Sequence, residues 1–463
     1  MDDPQIIIET LLQRIAVLEQ TVATLQEKND QLQAENRLLR EQLEQQQRGT
    51  ARQAAPFRRR ESKKVPEDKK KRPGRKPGHP GANRAVPQHV DQEIEKPLDG
   101  CPKCGGPVNE CHPVEQFIEE IPPVRPRVVR LVTWEGLCPN CGEVHSTHPL
   151  QTSRARHAAK VQLGPRALAI TTALNKHFGL SMRRTCQVLD KLFGLKLTPG
   201  GLSQATDRVA DRLTDKYEAL VSDIRGAPAA FADETSWWVG EKGWWLWTFT
   251  TPNETVYHVD KSRASAVVSK ILGENYPGVL VSDCLSSYDP PDCRKHKCIA
   301  HHLKAIAEAK ELPGHAESAY LQQWTLLFKV VIVFHRLAVQ GKWDEATLVE
   351  RRIHLERWID RLLNEPVERG GEARIRNRLM KQRPHLIGCL YDLAAEPTNN
   401  RAERSLRPAV IARKISCGNK TDRGRQTWQV LASLAATCVQ RGEDLIDYLT
   451  TQLLFPVVCE SIG

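Results

Sequence analysis

Leucines recur at every seventh position from Leu11 through Leu18, Leu25 and Leu32 to Leu39, and Ile8, Ile15, Val22, Asn29, Asn36 and Leu43 fill the complementary heptad position. Leucine on one seam position and β-branched residues on the other predict a parallel dimeric coiled coil over residues 1–48, with the seam asparagines fixing register. The pattern stops at Gly49 and apolar positions return at helical spacing only beyond Leu163, at Leu168, Ile170, Leu174, Cys186, Val188, Leu189 and Leu192. A helix over 183–193, a break at Gly194 and a second helix opening at Thr198-Pro199-Gly200-Gly201 predict a helical, helix-turn-helix-like domain over 151–226. Ordinary core packing of two helices fits the same residues.

Beyond residue 227 the period changes to two. Strands are expected over 229–238, over 244–250 across the Glu241-Lys242-Gly243 turn, and over 255–259. A helix over 262–272 and a buried strand over 278–283 follow, then a further strand or helix start at 298–301. The order β-β-β-α-β-α resembles a ribonuclease H-like core, in which the first and fourth strands lie side by side. Apolar periodicity over 326–337 and 346–363 predicts a mostly helical insertion at 312–390, which splits the core into 227–311 and 391–463. The expected fold class is therefore a multidomain α+β chain: coiled coil, zinc ribbon, helical DNA-binding domain and ribonuclease H-like core with an insertion.

Charge adds a second segment between zipper and helices. Of the formal net charge of +11, most comes from residues 58–84, where twelve Lys and Arg face three acids among prolines and glycines. No packed core forms from such a composition, so residues 49–97 read as a flexible basic arm that tracks nucleic-acid phosphates, with Arg72, Arg75 and Lys76 at its centre. Cys101-Pro-Lys-Cys104 and Cys138-Pro-Asn-Cys141 are two knuckles, each followed by glycine, and predict one structural Zn²⁺ held by four thiolates in a ribbon over 98–150. Thirteen cysteines with no secretory signal point to a reducing compartment, and no apolar run reaches bilayer length, so the expected location is cytoplasmic, at a bacterial nucleoid, without membrane contact.

Candidate chemistry lies at Asp233 and Asp283, each at a strand end, and at Glu403 among Arg401, Arg404 and Arg407. A carboxylate among arginines suits hard oxygen ligands that hold Mg²⁺ against a DNA phosphate, and three-residue spacing puts the arginines on one helical stripe. Glu234 competes with Asp233, but strand alternation gives Phe231 and Asp233 one face and Glu234 the other. Asp289, Asp292 and Asp422 read as surface acids, and His301 as a residue with some chance of touching substrate. Five tryptophans between Trp237 and Trp247 read mostly as core.

Ala232-Asp233-Glu234-Thr235, Val281-Ser282-Asp283 and Thr398-Asn-Asn-Arg-Ala-Glu403-Arg-Ser-Leu-Arg-Pro408, followed by Arg413-Lys414, resemble the DDE transposases of the insertion-sequence-66 family. The resemblance covers almost the full length, since that family also carries a zipper, a basic arm, a zinc-binding region and a helical domain before the core. Thr398 stands where the family usually has Asp, and Cys284-Leu285 where it has Gly-Tyr. Membership implies that Asp233, Asp283 and Glu403 are a catalytic triad binding two Mg²⁺ ions. It also implies DNA partners, both element ends and target, a homodimer or higher assembly, and small accessory proteins from the same element. A catalytically silent DNA-binding regulator and another ribonuclease H-like nuclease, such as a junction resolvase, are the alternatives.

Overall fold

A computed structural model describes residues 84–146, 148–152, 161–367 and 370–454, with scattered positions between 20 and 33. The zipper lies outside the described residues, apart from a few helical positions that include the exposed Leu25. Arg72, Arg75 and Lys76 lie outside them altogether. The chain divides into two units, 1–119 and 120–463.

In the first unit residues 84–119 form no regular element, and Cys101 to Gly106 closes a tight turn. The Cys101 carbonyl accepts from Gly105 N at 2.8 Å, with Gly105 at φ +74°, a left-handed value that glycine adopts without strain. The second unit begins with an extended stretch and the hairpin β1 (Glu135–Cys138) and β2 (Gly142–His145). The second knuckle forms the hairpin's turn, with Gly142 again left-handed.

Helices follow: α1 (Pro165–Thr172), extended by a π turn over Ala173–His177, then α2 (Met182–Phe193), α3 (Pro199–Arg212) and α4 (Thr214–Gly226). The break expected at Gly194 is a left-handed cap at φ 67°, and Thr198 caps α3 by accepting from Gly201 N, with Pro199 in the first turn.

The sheet comprises β3 (Ala229–Val239), β4 (Glu241–Thr250), β5 (Thr255–Asp260), β6 (Asn275–Ser282) and β7 (Asp292–Lys297), in the order β5-β4-β3-β6-β7, with α5 (Ser265–Leu272) between β5 and β6. Strands β3 to β5 form the antiparallel meander, whereas β6 pairs in parallel with both β3 and β7. The first and fourth strands thus lie side by side, as expected. Strand β7 was not expected: Asp-Cys-Arg-Lys-His-Lys carries no apolar alternation, yet His296 and Lys297 are fully buried.

Helix α6 (Ile299–Lys310) follows β7, and the segment expected as a helical insertion holds α7 (Ala319–Val339), α8 (Glu345–Asn364), α9 (Gly371–Lys381) and the single turn α10 (Gly388–Tyr391). These helices cover the face of the sheet that carries Phe231, Val279 and Val281. The chain then returns as α11 (Asn400–Ser416), α12 (Asp422–Arg441) and α13 (Leu445–Leu454). The opposite face, carrying Ala230, Ala232, Trp247 and Phe249, packs against α1, α3, α4, α5, α12 and α13. Trp237 and Trp247 are buried, in accord with a core role, while Trp238, Trp244 and Trp245 are half-exposed.

Edge strand β5 is closed by side chains rather than by another strand. Its backbone N–H groups at Thr255, Tyr257 and Val259 donate to Thr437 Oγ1 at 3.1 Å, Ser433 Oγ at 2.9 Å and Gln429 Oε1 at 3.0 Å. These three lie four residues apart on α12, a polar stripe matched to alternate residues of the strand.

Candidate active site

Parallel pairing of β3 with β6 runs through Phe231 opposite Val281. Asp233 and Asp283 therefore lie two residues further along neighbouring strands. Asp283 begins a turn, its Oδ1 accepting from Leu285 N at 2.8 Å. Glu403 enters from the first turn of α11, whose start is docked against β3. Burial pushes the Asp233 carboxyl up to about 7; the negative charges of Glu234, Asp283 and Glu403 add to it, and the Glu234 backbone N–H opposes it. The two strands and the helix thus bring the three acids into one electrostatic field.

The donor set, three carboxylates, has the chemistry of a site for a hard divalent cation. Among the described residues no three His, Cys, Asp or Glu side chains already stand together as a ligand group, so the acids interact through their charge. Cys101 and Cys138 each receive backbone N–H groups from the residues of their own turn, which lower their thiol pKa values.

Glu234 faces the other side of the sheet, as alternation requires. It is almost fully buried, accepting from Arg263 at 2.7 Å and from Tyr288 Oη at 2.6 Å, and Arg263 in turn lies over the Trp245 ring at 4.2 Å. Neither Arg263 nor Tyr288 was singled out in the sequence. Asp289 is corrected: it is no surface acid, since it forms an ion pair at 2.9 Å with the fully buried Lys297, whose Nζ also donates to Ser282 Oγ at 3.3 Å. Asp292 and Asp422 are exposed, the latter paired with Arg425. His301 sits half-buried in the first turn of α6.

The arginine stripe divides. Arg404 and Arg407 are exposed beside Glu403, but Arg401 turns inward, pairs with Glu396 and lies over the Phe231 ring at 5.4 Å. Its acid comes from the loop just before the helix, which the three-residue spacing alone does not register. Arg413 donates to Thr235 Oγ1 at 3.1 Å and to Ser236, tying the far half of α11 to β3, while Lys414 is exposed. At the helix's C-terminal end, Asn419 N donates to the Trp238 carbonyl at 2.9 Å and Trp237 Nε1 to Asn419 Oδ1 at 2.8 Å. Gly418, at φ +105°, lets the chain pass close to the Trp238 carbonyl, where a Cβ would clash.

The family model described as "Transposase IS66 family" matches residues 160–427, a span that contains all three acids and more than half of the chain. The chain belongs to the IS66 transposase family. Two proteins of Sinorhizobium fredii are similar to this family member. The uncharacterized protein y4jD is 23% identical over 404 residues, covering 80% of this chain and 77% of its own. The uncharacterized protein y4qI is 23% identical over 302 residues, covering 56% of this chain and 53% of its own. Among the described residues, no helix of this IS66-family chain is long and apolar enough to cross a membrane.

Proposed function

We propose that this chain is a DDE-type DNA transposase that binds the ends of an insertion sequence and carries out strand cleavage and strand transfer at Asp233, Asp283 and Glu403. The observation that carries the reading is the shared field of the three acids, with Asp233 inside β3, Asp283 just past the end of β6 and Glu403 in the first turn of α11, in a sheet that sets its first strand beside its fourth. Two Mg²⁺ ions held by these carboxylates would activate the attacking oxygen and stabilise the leaving one.

Each step is an in-line displacement at phosphorus. Water attacks the scissile phosphate and the P–O3′ bond breaks, which frees a 3′-hydroxyl. That hydroxyl then attacks a target phosphate, forming a new P–O3′ bond while the target's own P–O3′ bond breaks and leaves a 3′-hydroxyl on the target strand. Arg404 and Arg407, exposed one and four residues beyond Glu403, are suited to hold the backbone on either side of the reacting phosphate. Lys414, exposed near the end of the same helix, adds a further positive charge, and Arg72, Arg75 and Lys76 of the basic arm are separate DNA contacts in this reading. The pair α2–α3 serves in this reading as a helix-turn-helix for end recognition, and the zipper pairs two copies.

The test is incubation of the protein with Mg²⁺, DNA bearing the element's ends and a target plasmid. Nicked ends and joined products are expected. Tight end binding without either product would favour the silent regulator, and nicking without joining would favour a pure hydrolase.

A further inference from the structure

Asn399 is the residue before α11 and is fully buried, although neither its amide nor its position recommends it for a core. Its Nδ2 donates at 2.7 Å to the carbonyl of Ala232, the residue immediately before Asp233. Its backbone N–H donates at 3.1 Å to the buried Cys298 Sγ, at the junction of β7 and α6. Its own carbonyl accepts from Glu403 N at 3.2 Å, closing the first turn of the helix. One side chain and its peptide groups therefore connect three pieces of backbone: β3 beside Asp233, the β7–α6 junction, and the turn that holds Glu403.

We propose that Asn399 is a positioning residue that fixes Glu403 relative to Asp233, so that both carboxylates meet the same divalent cation. The proposal rests on the reading of the three acids as metal ligands. Glu403 lies far from both aspartates in sequence and reaches them across the whole helical insertion, so its distance from Asp233 is set only by how α11 docks on β3. The other hydrogen-bonded tethers of α11 to the sheet among the described residues act further along, from Ser405 Oγ against Thr248 Oγ1 at 3.2 Å to Arg413 against Thr235, and in the first turn Arg401 lies over the Phe231 ring, two residues before Asp233. Among the described residues, the Asn399 amide is the hydrogen bond that joins the start of the helix to the residue adjoining Asp233. Burial strengthens this bond and makes its loss costly, because the Ala232 carbonyl would be left unpaired in a dry site.

Partners that orient ligands contribute about 10- to 100-fold to metal affinity. The probe is Mn²⁺, a hard ion that thiolates bind poorly, titrated against the full-length protein without DNA and followed by the electron paramagnetic resonance of free Mn²⁺. Wild type is compared with Glu403→Ala, which removes the ligand, and with Asn399→Ala. The expected result is about tenfold weaker Mn²⁺ binding for Asn399→Ala, with unchanged affinity for element-end DNA. A role in folding alone would lower the unfolding temperature and leave Mn²⁺ affinity at the wild-type value, which would overturn the proposal while the three-acid reading stands. Equal Mn²⁺ binding by wild type and Glu403→Ala would remove Glu403 as a ligand and the proposal with it. Should Asn399→Ala fail to fold, Cys298→Ala and Cys298→Ser decide. The first deletes the acceptor of the Asn399 N–H and should weaken Mn²⁺ binding; the second restores an acceptor and should recover it, and equal affinity in both variants and wild type would contradict the proposal.

Discussion

Asp233 and Glu234 are adjacent and chemically alike, yet the pleat of β3 gives them different neighbours. Asp233 meets the charges of Asp283 and Glu403, whereas Glu234 is neutralised by Arg263 and hydrogen-bonded by Tyr288. Replacing Asp233 with Asn should abolish DNA cleavage and leave folding intact. Replacing Glu234 with Gln should keep a measurable cleavage rate but lower stability by about 1–3 kcal/mol, because Arg263 loses its ionic partner and the bond from Tyr288 weakens. Cleavage assays and urea unfolding on both variants check this, and loss of cleavage in Glu234→Gln with an unchanged unfolding midpoint would reverse the assignment. Alternation made this distinction legible from sequence alone. The Asp289–Lys297 pair was not legible, since the partner lies on a strand with no apolar pattern and nothing local marks Lys297 as buried.

At the scale of elements, the legible ones have strong periodicity or strong punctuation. The meander, the Gly194 break and the insertion helices fall where turn glycines, strand alternation and 3.6-residue spacing put them. Strand β7 escapes because its order comes from parallel pairing with β6 and from buried polar groups, including His296, whose Nε2 lies 3.1 Å from the Pro397 carbonyl. The polar stripe of α12 is similarly unreadable: Gln429, Ser433 and Thr437 look like a solvent face until β5 is seen to need three acceptors. Ser433→Ala should leave the Tyr257 N–H buried without a partner and destabilise the protein by about 1–3 kcal/mol. A urea midpoint equal to wild type would mean that β5 is held without this bond.

The whole molecule keeps several histidines neutral in its interior. Burial pushes His258 and His296 each down to about 4, with the nearby Lys270 adding to the effect at His258 and a hydrogen bond to Pro397 opposing it at His296. The unfolded chain takes up protons near pH 6.5 that the folded chain refuses, so this contribution is complete above pH 6.5 and is lost as pH falls toward 4. Each histidine should then remove on the order of 2 kcal/mol of stability between pH 7 and pH 5. Urea unfolding at both pH values measures it, and replacing His258 with Gln should remove that residue's share, on the order of 2 kcal/mol, from the loss.

In the proposed reading, three acids carried by β3, the end of β6 and α11 form a single reaction centre. The most direct measurement is single-turnover cleavage of element-end DNA in Mg²⁺ by wild type and Glu403→Gln, a change that keeps side-chain size and removes the charge. Wild type is expected to leave a nick with a 3′-hydroxyl, and Glu403→Gln to leave none at equal DNA occupancy. Wild-type-like cleavage by Glu403→Gln would contradict it.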